Sequence, residues 1–186
     1  MIGIDAADKA ITVAKQHAAE SPELKLHYEH ITVEEMLEKH TEKHVEKHAE
    51  NSISTENGDP DGMDAEFDIL TCMEMLEHIP DPAKLVQDCA QLVKPGGHLF
   101  FSTINRNLKS WVLAIIAAEY VMKLLPKGTH TYEKFIRPSE FAAWARAAKL
   151  QIVQISGFSY NPFTRDYRLS SKPEVNYLVH CRRGWR

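Results

Sequence analysis

Short apolar runs alternate with longer segments of mixed character along most of this chain. Residues 1–4 (MIGI) form the first run, and 6–19 come next as a helix closed by Ser21-Pro22. Residues 24–28 alternate apolar and polar, the spacing of a strand. Thr32 with Glu35 three positions on has the form of a capping box, so a second helix starts there. Residues 67–72 (FDILTC) predict a strand, 82–93 a helix and 99–103 a strand. An apolar helix is expected over 111–125, and another opens at Pro138 and ends near Lys149. Strands over 150–157 and 175–181 complete the series. Alternating units of this kind predict an α/β fold, a mostly parallel sheet with helices on both faces.

One stretch breaks the alternation. Residues 38–48 read EKHTEKHVEKH, and 50–64 read ENSISTENGDPDGMD. Glu38, Glu42 and Glu46 share one helical stripe, and His40, His44 and His48 share another. Histidines at i and i+4 can bind a metal, but a solvated helix lengthened by repeat expansion is the simpler reading. The second half has the Gly, Pro, Asn and Asp content of a loop. The expected organisation is a single domain over 1–186 with a flexible insertion at about 38–64.

With 186 residues and 44% hydrophobic content, the chain can bury a real core. A net charge of −4, with no basic cluster interleaved with aromatics, gives no reason to expect nucleic acid. The cysteines, Cys72, Cys89 and Cys181, are odd in number and form no CxxC pair. They fit neither a disulfide framework nor a zinc ribbon, and point to a reducing compartment. Residues 1–5 (MIGID) read as a strand rather than the start of a signal peptide. No G-x-G run lies near this strand.

The candidate chemistry gathers where apolar runs end. Asp5 closes the first run; there an acidic side chain can accept hydrogen bonds from both ribose hydroxyls of a nucleotide cofactor, or cap the next helix. Met73 comes just after the run over 67–72. Glu74, Glu77 and His78 stand at i, i+3 and i+4, which on a helical turn is one face. Two carboxylates and an imidazole there can hold a hard divalent ion; acidic residues at a helix start are also favoured by the dipole alone. Lys94-Pro95-Gly96-Gly97 has the make-up of a helix end and a turn. A helix over 111–125 (WVLAIIAAEYVMKLL) rises about 22 Å, too short for a hydrocarbon core of about 30 Å. It fits a core helix, or an interfacial one flanked by Lys109, Trp111, Tyr120, Lys123 and Lys127.

Several of these motifs, in this order, resemble one family. FDILTCMEMLEHIPDP at 67–82 and LVKPGGHLFFST at 92–103 resemble the class I S-adenosylmethionine (SAM) dependent methyltransferases. NRNLKSW at 105–111, PKGTH at 126–130 and NYLVH at 176–180 narrow the resemblance to the O-methyltransferases of ubiquinone biosynthesis. The resemblance implies a Rossmann-like class I methyltransferase sheet. The family's first strand and glycine-rich loop are not found ahead of Asp5, which is the picture of an N-terminally truncated chain. It implies that Asp5 holds the cofactor ribose and that Met73 packs against the cofactor. It also implies a divalent cation, magnesium, held by Glu74, Glu77 and His78. Its substrate would be a polyprenylated phenol or catechol, an acid near pKa 10, reached by peripheral membrane contact through 111–125. A multi-enzyme ubiquinone-biosynthesis complex is the implied partner. The implied place is the matrix face of the mitochondrial inner membrane, or the membrane-associated cytoplasm of a bacterium.

The general base is not assigned; His78 and His130 are both candidates. Two other readings stand beside this one. A SAM methyltransferase for another small acceptor would not require the apolar segment at 111–125. A non-catalytic remnant in a membrane complex would explain the missing glycine loop, but not the Glu74, Glu77 and His78 group.

Overall fold

In a computed structural model, the described residues are 1–50, 67–107, 110, 132–161, 164 and 166–184. Contacts divide the chain into two units, Met1–Asp64 and Ala65–Arg186. The segment expected at the membrane, 111–125, lies outside the described residues, as do His130, Lys109, Lys127 and residues 51–66.

The first unit holds β1 (Ile2–Asp5), α1 (Asp8–Ala19), β2 (His27–His30) and α2 (Val33–Glu50). β1 and β2 pair in parallel, Ile2 opposite His27 through Asp5 opposite His30. The second strand thus begins three residues later than its alternation suggested. The chain turns first, with Leu24 N–H donating to Ser21 O at 3.0 Å, and becomes a strand only where β1 offers partners. The capping box at the start of α2 is present: Thr32 N–H donates to Glu35 Oε2 at 2.7 Å, and Glu35 N–H donates to Thr32 Oγ1 at 3.2 Å. Lys39 of α2 reaches Glu29 of β2 at 2.7 Å, and this bond holds the Glu29 carboxyl below its usual range.

The second unit carries β3 (Phe67–Met73), a 3-10 turn at Leu76–His78, α3 (Pro82–Leu92), β4 (Val93–Ile104), a second 3-10 turn at Tyr132–Lys134 and α4 (Pro138–Ala147). β5 (Leu150–Asn161), β6 (Asp166–Ser170) and β7 (Asn176–Arg183) complete it. The strand order is β3-β4-β7-β5-β6. Within this unit β3 and β4 run parallel, and β4–β7, β7–β5 and β5–β6 are antiparallel. The sheet of this unit is therefore mixed: β5 and β6 form a hairpin, and β7 comes back antiparallel between β4 and β5.

α3 starts where Asp81 accepts a hydrogen bond from Lys84 N–H at 3.0 Å, with Pro82 at its first position. Its Leu85, Val86, Cys89 and Leu92 are buried at helical spacing. They cover one sheet face together with Phe141 and Ala145 of α4. That face presents Leu99 and Phe101 from β4 and Tyr177, Val179 and Cys181 from β7, all 0–1% exposed. The Phe101 and Phe141 rings meet at 5.2 Å and 59°. The opposite face is half-buried, and there His98 Nδ1 lies 2.9 Å from His180 Nε2, with Phe100 stacked on His180 at 4.6 Å.

Lys94-Pro95-Gly96-Gly97 is not a turn between helix and strand. It is the bulged beginning of β4: Phe67 faces Val93, and two residues later Ile69 faces His98. Gly96 supplies a φ of 81° there. A Cβ on Gly97 would stand 2.6 Å from Val93 Cγ1 and 2.8 Å from Asp68 O.

Candidate active site

The second unit's site is built at the C-terminal ends of β3 and β4, where open α/β sheets carry their ligands. β3 ends on Met73, which is 50% exposed and faces Ser102 across the ladder. Glu74 then turns the chain with φ 51°, a left-handed conformation rare outside glycine. Ser102, itself 4% exposed, holds that turn. It accepts Glu74 N–H at its Oγ (2.9 Å) and donates its hydroxyl to Glu74 Oε1 (2.6 Å). Backbone strain of this kind persists where the surroundings fix it, and it concentrates at functional sites.

The left-handed turn redirects the next four residues. Leu76–His78 is 3-10 rather than α-helical, with about three residues per turn. Glu74 and His78 are exposed while Glu77 is 3% exposed. The expectation that Glu74, Glu77 and His78 share one helical face is therefore corrected. Among the described residues, no group of three or more His, Cys, Asp or Glu side chains stands ready to hold a metal ion. The residues expected to hold magnesium do not fit one cation.

Glu77 points inward. Its Oε2 accepts the Thr103 hydroxyl at 2.7 Å, and Thr103 is 1% exposed. Its Oε1 is buried and has no hydrogen-bond partner among the described residues. Glu77 is among the residues around an open cleft of about 260 Å³ between the Leu76–His78 turn, the end of β4 and the start of α4, with Arg106, Lys134, Glu140 and Trp144 also on its walls. Arg106, just past β4, pairs with Glu140 of α4 and donates to Glu133 O at 3.1 Å. Glu140 also accepts Arg137 N–H at 2.8 Å, which fixes the first turn of α4. Tyr177 donates its hydroxyl to Ile136 O at 2.9 Å. Burial, with the charges of Glu140 and Glu77 adding, pushes this phenol well up and keeps it protonated.

Asp5 belongs to the first unit. It sits half-buried at the tip of β1, and its Oδ1 accepts Ala7 N–H at 2.7 Å. It thus acts on the approach to α1, whose N-cap position is Ala7. No described residue bonds its Oδ2, which leaves that oxygen to accept a ribose hydroxyl. A carboxylate at a strand tip before a helix, and a half-exposed thioether at the tip of β3, are each groups that fit parts of an adenosine.

Ser102, Thr103, Arg106 and Glu140 were not singled out by sequence. A signal existed for two of them: Ser102-Thr103 is a polar pair closing the apolar run LFF, at the strand end that faces ligands. Arg106 and Glu140 stand 34 positions apart, and only the fold joins them.

A family model described as a methyltransferase domain matches residues 1–155. The chain is 48% identical over 182 residues to the ubiquinone biosynthesis O-methyltransferase of Aromatoleum aromaticum, covering 98% of this chain and 68% of that protein. It is 48% identical over 181 residues to the protein of the same name from Paraburkholderia phymatum, covering 97% and 68%. The chain thus spans about two thirds of the length of these relatives. Its fold is similar to magnesium protoporphyrin IX methyltransferase from Synechocystis with bound SAH, with TM-score 0.58 and 13% identity over 98% of this chain and 64% of that one.

Proposed function

Because this chain belongs to the ubiquinone biosynthesis O-methyltransferases, a family of SAM-dependent methyltransferases, we propose that it methylates a ring hydroxyl of a polyprenylated phenol or catechol. The observation that carries this reading is the 48% identity to named O-methyltransferases over 98% of the chain. S-adenosylmethionine, when bound, supplies an electrophilic methyl on a sulfonium. On this reading the Asp5 carboxylate accepts a ribose hydroxyl, and the Met73 thioether packs against the cofactor. Ser102 fixes the Glu74 turn and with it the direction in which the chain leaves β3. The acceptor gives up its hydroxyl proton and gains the methyl, so the protein's task is to position two reactants and exclude water. Glu74, Glu77 and His78 do not converge on one cation site among the described residues.

The isoprenoid tail of such a substrate puts the work at a membrane surface. No described helix is long and apolar enough to cross a membrane. We assign the surface contact to 111–125, whose aromatic and lysine flanks suit an interface. That surface is the matrix face of the inner mitochondrial membrane in a eukaryotic cell and the cytoplasmic face in a bacterium. The relatives described above are bacterial, which favours the second.

The test uses the full chain, labelled SAM and a short-tailed prenyl catechol, with and without chelator. Label is expected in the catechol methyl ether, and equally with chelator present. Asp5→Ala is expected to weaken SAM binding in calorimetry by about tenfold, the worth of one hydrogen bond to a charged group. No transfer to any phenol or catechol, with SAM bound, refutes O-methylation.

A further inference from the structure

β6 (Asp166–Ser170) is an outer strand of the second unit's sheet, and among the described residues no strand pairs with its far edge. All five of its residues are exposed. Its pairing with β5 runs in unbroken register, from Gly157 opposite Ser170 to Asn161 opposite Asp166. A regular edge of this kind offers a row of backbone N–H and C=O groups to another strand. Natural sheets guard such edges with proline, lysine, a bulge or a covering segment. β6 reads DYRLS and holds no proline, lysine or bulge.

The side chains divide by the alternation of a strand. Tyr167 and Leu169 share one face, each 67% exposed, with Tyr167 stacked on Phe158 of β5 at 5.6 Å. Asp166 and Arg168 share the other face, and neither makes an ion pair among the described residues. One charge of each sign, two residues apart, can complement a copy of itself. A twofold axis between two antiparallel edge strands passes between one residue and its own copy, so the central residue names the register. Centring on Asp166 or Arg168 sets like charges face to face, which is destabilising. Centring on Leu169 leaves Arg168 opposite Ser170 and carries Asp166 past the end of the strand. Centring on Ser170 sets Arg168 opposite Lys172. Centring on Tyr167 sets Asp166 opposite Arg168 of the second copy, and does so twice.

We propose that the β6 edge is an interface for a second copy of this chain, with the two β6 strands paired antiparallel about Tyr167. Asp166 of each copy meets Arg168 of the other, and the two Tyr167 side chains face each other on the opposite side of the joined sheet. The contact is isologous, so it closes at two copies. It uses one short strand from each, which is little beside the about 1,200–2,000 Å² that stable interfaces bury. Association is therefore weak and depends on concentration. The proposal does not rest on which reaction the protein catalyses.

Sedimentation velocity on the full chain, from about 1 µM to about 1 mM, covers the range of weak interfaces. The parent is expected to show a monomer–dimer equilibrium and nothing larger. Asp166→Arg and Arg168→Asp each put like charges opposite one another at two places. Each is expected to weaken dimerisation by about tenfold or more. Both positions are exposed, and melting temperatures near that of the parent confirm folding. Mixing the two single variants restores both opposite-charge pairs, so together they should form a heterodimer at concentrations where neither dimerises alone. The double variant, Asp166→Arg with Arg168→Asp, should recover self-association. A parent that stays monomeric to about 1 mM overturns the proposal, whatever else binds this edge. So does a dimer that neither single reversal weakens, since it uses another surface. A mixture of folded single variants that fails to associate overturns it too, as does a ladder of larger species, the mark of a contact that does not close.

Discussion

Replacing Thr103 by Val keeps the shape of a side chain that is 1% exposed and deletes one hydroxyl. In the parent that hydroxyl donates to Glu77 Oε2 at 2.7 Å, a buried bond to a carboxylate. Hydrogen bonds to charged groups contribute about 1.5–3 kcal/mol. The loss is one-sided, because Glu77 Oε1 already lacks a partner among the described residues and Oε2 would then lack one too. The expected cost is about 2 kcal/mol, near the middle of that range. For a chain of this size that corresponds to a fall in melting temperature of roughly 4–8 °C. Urea unfolding monitored by tryptophan fluorescence gives the energy directly, and Trp144 lies in the same unit. Thr103→Ser keeps the hydroxyl and should fall less, by the loss of one methyl. The double variant Thr103→Val with Glu77→Leu removes both polar partners. It should recover most of the stability lost by Thr103→Val alone, since replacing both ends of a buried hydrogen bond can be nearly neutral. A Thr103→Val protein within about 0.5 kcal/mol of the parent would mean that Glu77 is not held as described.

Two further outcomes are expected. Gly97→Ala forces a Cβ to within 2.6 Å of Val93 and 2.8 Å of a backbone oxygen. It should cost about 1–3 kcal/mol by overpacking, and denaturant melts showing no loss would contradict the bulge at the start of β4. His180 is held below its ordinary value of 6.5 by burial first and by His98 second. The unfolded chain therefore binds more protons just below that value, so stability is complete above about pH 6.5 and falls on acidification. Melting temperatures from about pH 7.5 to about pH 5.5 should drop less steeply in His180→Gln than in the parent, and parallel curves would refute the burial argument.

Much of the fold was legible because local signals agreed with the final packing. The Thr32 and Glu35 box, the Pro82 start of α3 and the apolar run at 67–72 each formed as their residues dictate. The features that could not be read depended on long-range pairing. β2 starts where β1 provides partners, not where its own alternation begins. β6, DYRLS, carries little apolar signal and exists as the partner of β5. At the site, the residue types at the end of β3 were identified but their directions were not. The spacing of Glu74, Glu77 and His78 implied a helical face. One left-handed residue at Glu74 and a tighter turn sent Glu77 inward and left its neighbours outside. Thr103 was silent for the same reason, as its importance comes from a partner 26 positions earlier.

The placing of β7 has a consequence for how the protein is made. This strand lies between β4 and β5, so His98 meets a residue 82 positions further along the chain. During synthesis, β3, α3, β4 and α4 leave the ribosome with no sheet edge for β5 to join. The hairpin of β5 and β6 must wait as well, until Asn176–Arg183 arrives to bridge it to β4. Closing so long a loop is entropically slow, and meanwhile the apolar faces of β4 and β5 stand open. A stop codon just before residue 176 would take out the middle of the sheet and leave β3–β4 and β5–β6 as two strand pairs with no ladder to join them.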